Sequence, residues 1–359
     1  FKFFNPVFIF FRVGREFKYP TTKVGIFLVS KLISFFDFFK KTKHSDLMYA
    51  FYDLSISPNT YNFCEFIVLC NNEIIKRKLN GYKIIFIKRK KNPKIISNEK
   101  YFGVIDDELY EWRFFNILSP LTLCTDKCIG FDIVSNDEEL KKYLVYNNKY
   151  PKFFNMTNRL RVDTNILYRE FNNLTNIELI SPKAANTYLN ILLSAIKIEE
   201  FLTISIRYQE YDKVRNSDLD SWNKFTNFLK ENTNYSVVII PDTDNFKATS
   251  KLFDGCYQAF EASHNLLLRF AYYKRAKFNF FAGGGPSSLC YLTTDIKYIM
   301  FNYGPVKNSI VHTPEAFKNF ETNKEKNFKF SSIGQILIWD SDTYTNLMKY
   351  YKIYVKKYI

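Results

Sequence analysis

The residues best equipped for chemistry crowd into one stretch, KFNFFAGGGPSSLCYLTTDIKYIMFN, from Lys277 to Asn302. An aromatic alternation leads into Gly283, Gly284 and Gly285, and Pro286, Ser287 and Ser288 follow. The pattern predicts strand, tight turn, helix, strand. Glycine takes up positive φ and lets backbone come close to a ligand. Pro286 suits a first helical turn. The free N–H groups of that turn, with two hydroxyls beside them, would bind an anion, and a phosphate or diphosphate is the natural occupant. The competing reading is a glycine-rich connection with no ligand.

Other predicted strand ends are polar as well. Arg207 with Gln209 to Asp212, and Arg215 close behind, follow LTISI; Asp242 to Asn245 follow VVII; Asn302 follows YIMF. Arg207 and Arg215 would grip phosphate oxygens with their planar forks. The glycine turn would cradle the diphosphate, and Asp242 or Glu261 would hold a ribose or sugar hydroxyl. In the first half, Asp53 ends a strand. Ser55 and Ser57 follow it, and Tyr61 opens the next helix. Each residue also has a bland role: Arg207 in a salt bridge to Asp242 or Glu210, Asp244 as a turn cap. Their gathering at strand ends favours a shared site, because open parallel sheets bind ligands there.

The elements that must position these groups alternate. Leu47 to Leu54 reads as a buried strand, Thr60 to Leu79 as a helix stopped by Gly81, and Tyr82 to Ile87 as a second strand. Lys88 to Lys91 is a basic loop. Asp106 to Asn116 is a helix, Leu121 to Cys124 and Ile129 to Val134 are weaker strands, and Ser135 to Tyr146 is a helix. Tyr150 to Ile180 shows little periodicity and is expected to hold connection and a strand or two. Ser181 caps a helix opened by Pro182 and running to Glu200. Leu202 to Arg207 is a strand, and Ser217 with Asp220 forms a capping box for a helix carrying Trp222, Phe225, Phe228 and Leu229. Val237 to Ile240 is a fully apolar strand, and Lys251 to Arg275 a long helix. Thr313-Pro314 opens a helix, Gln335 to Trp339 is a last strand, and Thr343 to Lys356 a last helix. The fold class is α/β with parallel sheets.

Lys and Arg number 51 against 36 acids, a net charge of +15, which suits an anionic partner without choosing one. The 38 Phe and 26 Tyr reflect a taste for Phe, Tyr, Ile, Asn and Lys that looks like AT-biased coding, so single aromatics count for little. Cys124 and Cys128 are spaced CxxxC with no second pair, and the three histidines are scattered. Neither pattern predicts a metal site, and the thiols fit a reducing compartment. Residues 1–45 are basic and Phe-rich, too short in apolar run to span a bilayer. They suit a helical hairpin packed on the protein or a segment lying on an anionic membrane face. The chain does not begin with Met, so the natural N-terminus is expected upstream.

Gly284-Gly285-Pro286-Ser287-Ser288 at a late strand-helix junction resembles the donor-diphosphate turn of GT-B glycosyltransferases. Ile204-Ser205-Ile206-Arg207 resembles the first strand of their C-terminal domain, notably in fucosyltransferase-like members. Tyr52-Asp53-Leu54-Ser55-Ile56-Ser57-Pro58 is similar to the opening of uncharacterised bacterial surface-polysaccharide proteins. The resemblance covers about Leu47 to Trp339. It implies two Rossmann-like domains, 46–180 for an acceptor and 181–340 for a nucleotide sugar, flanked by the 1–45 segment and a C-terminal helix at 341–359. It also implies transfer of a sugar to a glycan or lipid-linked acceptor, in surface polysaccharide synthesis, at a cytoplasmic or peripheral inner-membrane location, with Asp53 as the candidate base, Arg207 and the Gly284–Ser288 turn stabilising the leaving diphosphate, and Ser55, Ser57 and Tyr61 on the acceptor side. No cofactor and no nucleic acid are expected. GT-B enzymes need no metal-binding DxD, so Asp242-Thr243-Asp244 is not read as one. The chain lacks the E-x7-E pattern of retaining members, which implies inversion. The alternatives are a nucleotide-sugar epimerase and a non-catalytic basic protein for membranes or nucleic acid.

Overall fold

Runs such as LMYAFYD, GYKIIFI, FLTIS and SVVII, apolar on both faces, can only be central strands of covered sheets. The chain builds two. The computed structural model describes residues 43–89, 106–156, 159–175, 178–210, 212–243, 249–309, 311–318 and 326–358. The segment expected at 1–45 therefore lies outside the described residues except for its last three, as do Asp244 and Asn245, and Lys90 and Lys91 of the basic loop. The first sheet contains β1 (Leu47–Asp53), β2 (Gly81–Ile87), β3 (Cys128–Val134) and β4 (Lys149–Tyr150), in the order β3-β2-β1-β4. The second contains β5 (Phe201–Ser205), β6 (Ser236–Ile240), β7 (Tyr257–Gln258), β8 (Phe278–Ala282), β9 (Tyr298–Phe301) and β10 (Gln335–Leu337), in the order β10-β9-β8-β5-β6-β7. All the strand pairings are parallel. Each sheet starts in its middle, winds one way, then returns to wind the other. The reversals fall between β1 and β4 and between β5 and β8, where carboxyl ends part and leave a crevice.

Helices cover the sheets because their apolar stripes have nowhere else to go. Helix α1 (Asn62–Arg77) buries Phe63, Phe66, Ile67 and Ile74. Tyr52 of β1 meets Phe63 and Phe66 of this helix and Phe86 of β2 edge to face, each such ring contributing roughly 2 kcal/mol by burial. In the second half, the helix Leu219–Asn232 packs Trp222, Phe225 and Leu229 against Phe280, Phe301 and the terminal helix Tyr344–Tyr358. The Trp222 indole donates to Asp342 at 2.6 Å. Among the described residues no helix is long and apolar enough to cross a membrane.

Several sequence expectations give way to local chemistry. Helix α1 ends at Lys78, whose left-handed φ of 56° turns its N–H back onto Ile74 and Ile75. Gly81 instead opens β2, where a Cβ would stand 2.8 Å from the Lys127 carbonyl oxygen. Leu121–Cys124 is no strand: α2 (Asp107–Arg113) continues through a π-helical turn, Phe114–Leu118, into a last turn, Ser119–Leu121. The stretch after Tyr150 holds short helical turns in place of strands. Ser181 donates to Asn186 rather than capping, and the helix runs from Lys183 to Ala195. Asp218, not Ser217, caps its helix by accepting from the Ser221 N–H. The long helix expected at Lys251 to Arg275 is broken into β7, Phe260–His264 and Leu266–Arg275, because Asn265 accepts from the N–H groups of Leu267 and Leu268 and restarts the helix.

One buried carboxylate ties the two halves together. Glu65 of α1, 3% exposed, accepts on the same oxygen from Tyr168 and from Tyr291, which follows β8. Burial raises its pKa, outweighing the hydrogen bonds from Tyr168, Thr164, Tyr291 and Asn62. The folded protein thus keeps a proton that the unfolded chain releases near its ordinary value, and stability falls as pH rises from there to the raised folded pKa. Glu65→Gln keeps the accepting oxygen and removes the titration. Urea unfolding as a function of pH should show the variant more stable than the parent at pH 7, with no difference at pH 4.

Candidate functional site

Strand register brings the chemistry to one level. Ser205 at the end of β5 lies opposite Ile240 of β6 and Phe281 of β8. The residues that follow, Arg207, Asp242 and Gly284, therefore emerge side by side. Pro58 to Asn62, after β1, face them from the other sheet. Between them opens a cavity of about 720 Å3, within the roughly 300–1,000 Å3 typical of ligand sites.

Tyr61, Arg207, Gln209, Arg215, Asp242, Gly284, Gly285, Pro286 and Ser287 all line this cavity. Arg207 is fixed through its backbone: its N–H donates to the Ser217 hydroxyl at 3.0 Å, and its carbonyl accepts from the Ser217 N–H at 2.8 Å. Arg215 donates to the Gly283 carbonyl at 2.9 Å and lies 3.6 Å from the Asp212 carboxylate. The β5 loop is thereby tied to the glycine turn across the reversal point. Of the acids offered as bland partners for Arg207, Glu210 pairs with Lys213. Asp242 accepts from the Tyr208 N–H, the Thr243 N–H and the Gln209 amide at 2.8–3.1 Å.

The glycine turn works differently from the sequence expectation. None of its three glycines has positive φ, and Gly284 is extended at −159°. The need is for space. A Cβ on Gly285 would lie 2.7 Å from Cδ2 of Tyr61. The helix that follows is one 3-10 turn, Gly285–Ser287, and four residues, Ser288–Tyr291. A macrodipole needs a longer run of aligned peptides. The hydroxyls of Ser287 and Ser288 donate to the carbonyls of Gly284 and Gly285 at 2.6 and 2.7 Å, so they stabilise the turn. Positive charge comes instead from side chains.

Three of those side chains were not singled out from sequence as site residues. Arg113, Arg161 and Arg269 line the same cavity as Arg207 and Arg215. Arg269 is 5% exposed and braces the wall by donating to the Ala262 and Pro241 carbonyls at 2.9 and 3.0 Å. Burial opposes its charge, but Tyr273, Tyr61 and Asp242 outweigh that and leave its pKa raised. A lone charge inside LLLRFAYY was a usable signal for it. Arg161 sits in an irregular stretch with no such signal. The Tyr61 phenol is pushed up to about 12 by burial against the pull of Arg269, so it remains an O–H donor. His312, packed behind Gly283, is pushed down to about 3, by burial first and then by Arg215 and Arg207, so it is neutral.

The remaining candidates lie outside the cavity wall. Asp53 is 1% exposed, accepts from the Ser55 N–H at 2.9 Å and lies 3.4 Å from Arg159. It anchors the turn after β1, and Ser55 and Ser57 belong to that turn. The proton transfer expected of Asp53 has no geometric support. Glu261 accepts from Tyr257 and Tyr272. Gly283 and Ser288 flank the turn, and Asn302 donates to Asp342 at 2.8 Å. Of the described residues that line the cavity, Asp242 is the sole carboxylate, set against five guanidiniums. That imbalance suits a ligand of more than one negative charge.

No family model matches the chain, and no curated protein matches it in sequence. Among solved structures it resembles the ADP-heptose LPS heptosyltransferase II of E. coli, with a TM-score of 0.51 at 8% identity over 87% of this chain and 100% of that one. The glycosyl transferase family 9 structure from Veillonella parvula DSM 2008 aligns with a TM-score of 0.49 at 10% identity, over 87% and 90%. At such identity the first likeness speaks to architecture: the fold is α/β, with two parallel sheets in a GT-B-like arrangement.

Proposed function

We propose that the protein is a glycosyltransferase that moves a sugar from a nucleotide-diphosphate donor, bound against the second sheet, to a glycan or lipid-linked acceptor. The observation that carries this reading is the wall of the cavity: Arg207, Arg215 and Arg269 from one half, with Asp242 and the Gly284–Ser287 turn, face Tyr61 from the other. Departure of a nucleoside diphosphate builds negative charge on its phosphates. Fixed guanidiniums stabilise that charge where it develops, and more strongly away from water. Asp242, held by two backbone amides, would accept from a sugar or ribose hydroxyl. Tyr61, protonated, would donate to a phosphate or acceptor oxygen. A fold neighbour named for ADP-heptose makes ADP the first nucleotide to try.

The test is a thermal-unfolding screen with ADP, GDP, UDP and CDP and their sugar conjugates. Ligand at a hundred times its Kd stabilises a fold by about 2.7 kcal/mol, so a cognate nucleotide should lift the melting point by several degrees. A flat response across the whole panel would remove the proposal. Once a donor is found, release of its sugar only when a glycan acceptor is added marks transfer. Conversion of the donor with no acceptor present marks an epimerase.

A further inference from the structure

Positive charge is unevenly placed along the chain. Residues 1–45 hold nine Lys or Arg and two acids, and the helix Tyr344–Tyr358 holds four Lys and no acid, which leaves 38 against 34 for everything else. The helix turns its aromatic side inward: Leu347 and Tyr354 are buried, and Tyr351 packs against Phe225, Phe228 and Phe280. Lys349, Lys352, Ile353, Lys356 and Lys357 stand on the outer side, all exposed. Lysines in a last turn answer the helix dipole, and that alone would explain Lys356 and Lys357. It does not explain the isoleucines. Ile353 is 51% exposed and Ile333 is 85% exposed. Ile333 stands at the corner of a turn closed by the Gln335 N–H on the Ser332 carbonyl at 3.1 Å. Gly334 follows with a φ of 86°, as a type II turn requires at its third residue. The turn is braced from below. The Gln335 amide donates to the Thr293 and Ile296 carbonyls at 2.8 and 3.0 Å, and Tyr354 of the helix donates to the Gly334 carbonyl at 3.1 Å. A braced corner thus holds Ile333 out in water beside the basic helix, and the stem of Lys297 lies alongside Gly334.

We propose that this corner is a docking surface for an anionic lipid bilayer. Ile333 and Ile353 enter the headgroup layer, and Lys297, Lys352, Lys356 and Lys357 meet lipid phosphates around them. Apolar side chains ringed by lysines suit the boundary between headgroups and acyl chains, and each lysine held near an anionic leaflet adds attraction. A nucleic acid would satisfy the lysines and leave both isoleucines in water. The corner lies at the amino ends of the second sheet: Gly334 immediately precedes β10, and Tyr354 meets Phe278, the first residue of β8, with ring centres 4.1 Å apart. The cavity lies at the carboxyl ends. A protein seated on lipid this way keeps its cavity open, so the inference does not rest on the transferase reading.

The experiment uses the full chain and vesicles of phosphatidylglycerol mixed with phosphatidylcholine, with phosphatidylcholine alone as the neutral control. Co-sedimentation should show binding to the mixed vesicles only. Ile333→Ser with Ile353→Ser should lower the partition about tenfold or more, and so should Lys352→Gln, Lys356→Gln and Lys357→Gln together. All five side chains are exposed, so the melting point should not move. Residues 1–45 are basic as well, and a local probe separates the two. The emission of Ile333→Trp should shift to the blue and be quenched by brominated phosphatidylglycerol, beyond any change shown by the three tryptophans of the parent. Vesicles that bind while this added indole stays in water would overturn the proposal. So would no binding to the mixed vesicles, or an affinity that neither set of substitutions moves. Tighter binding to single-stranded DNA than to vesicles, lost with the same lysines, would overturn it in favour of a nucleic acid. None of these outcomes touches the nucleotide site.

Discussion

Arg207→Ala is expected to lower affinity for the cognate nucleoside diphosphate about 100-fold or more. A charge-assisted pair that loses one partner in a desolvated site costs roughly 2–5 kcal/mol, and each 1.4 kcal/mol is tenfold. Arg207 is the arginine to remove first, because it stands just past the end of β5 beside Asp242 and the glycine turn. Its backbone is held by Ser217, and one of its side-chain contacts, to the Asp212 carbonyl, is long, at 3.4 Å. Arg215 and Arg269 both fasten carbonyls that shape the wall, so their loss would mix structure with binding. Arg207→Lys keeps the charge and loses the fork, and should recover only part of the affinity. Calorimetric titration on variants with an unchanged melting point measures both. A Kd for Arg207→Ala within threefold of the parent would strip the residue of its role and take the diphosphate site with it.

The parts of this site that were legible in sequence are those written in contiguous runs. Apolar stretches of four to seven residues ending in charge marked β1, β5 and β6. The ends of such strands are where open parallel sheets hold ligands, so Arg207, Asp242 and the glycine turn could be placed together. Two kinds of feature were not legible. Arg113, Arg161 and Arg269 sit on elements far apart in sequence and meet only because both sheets turn their carboxyl ends to one gap. The acids went the other way: Asp53 and Glu261 read as site residues by position, but each is occupied by neighbours that only packing reveals. The role of the glycines was also misread from composition. A triplet suggests unusual backbone angles, whereas these three keep ordinary ones and matter for what stands opposite them.

What stands opposite Gly285 gives the second large effect. Gly285→Ala places a Cβ 2.7 Å from Cδ2 of Tyr61, 3.3 Å from its Cγ and 3.5 Å from its Cβ. The clash lies near the root of the ring, where no simple rotation relieves it. Tyr61 immediately precedes α1 in the first half, and Gly285 belongs to the second, so relief means turning the ring into the cavity or parting the two halves. Overpacking of this kind costs roughly 1–3 kcal/mol of stability. Either response also disturbs the crevice in which a diphosphate would lie, and nucleotide affinity should fall tenfold or more. Gly284→Ala is the matched control. Its φ of −159° suits any residue, and its nearest neighbour would be 3.8 Å away, so it should be close to neutral in stability. Tyr61→Ala combined with Gly285→Ala should be more stable than the sum of the single changes predicts, because the cavity left by one receives the methyl of the other. A double-mutant cycle on unfolding free energy reads that coupling directly. Equal stability for Gly285→Ala and Gly284→Ala would mean that the two sheets do not meet at this turn, and the shared wall on which donor and acceptor are both placed would be lost.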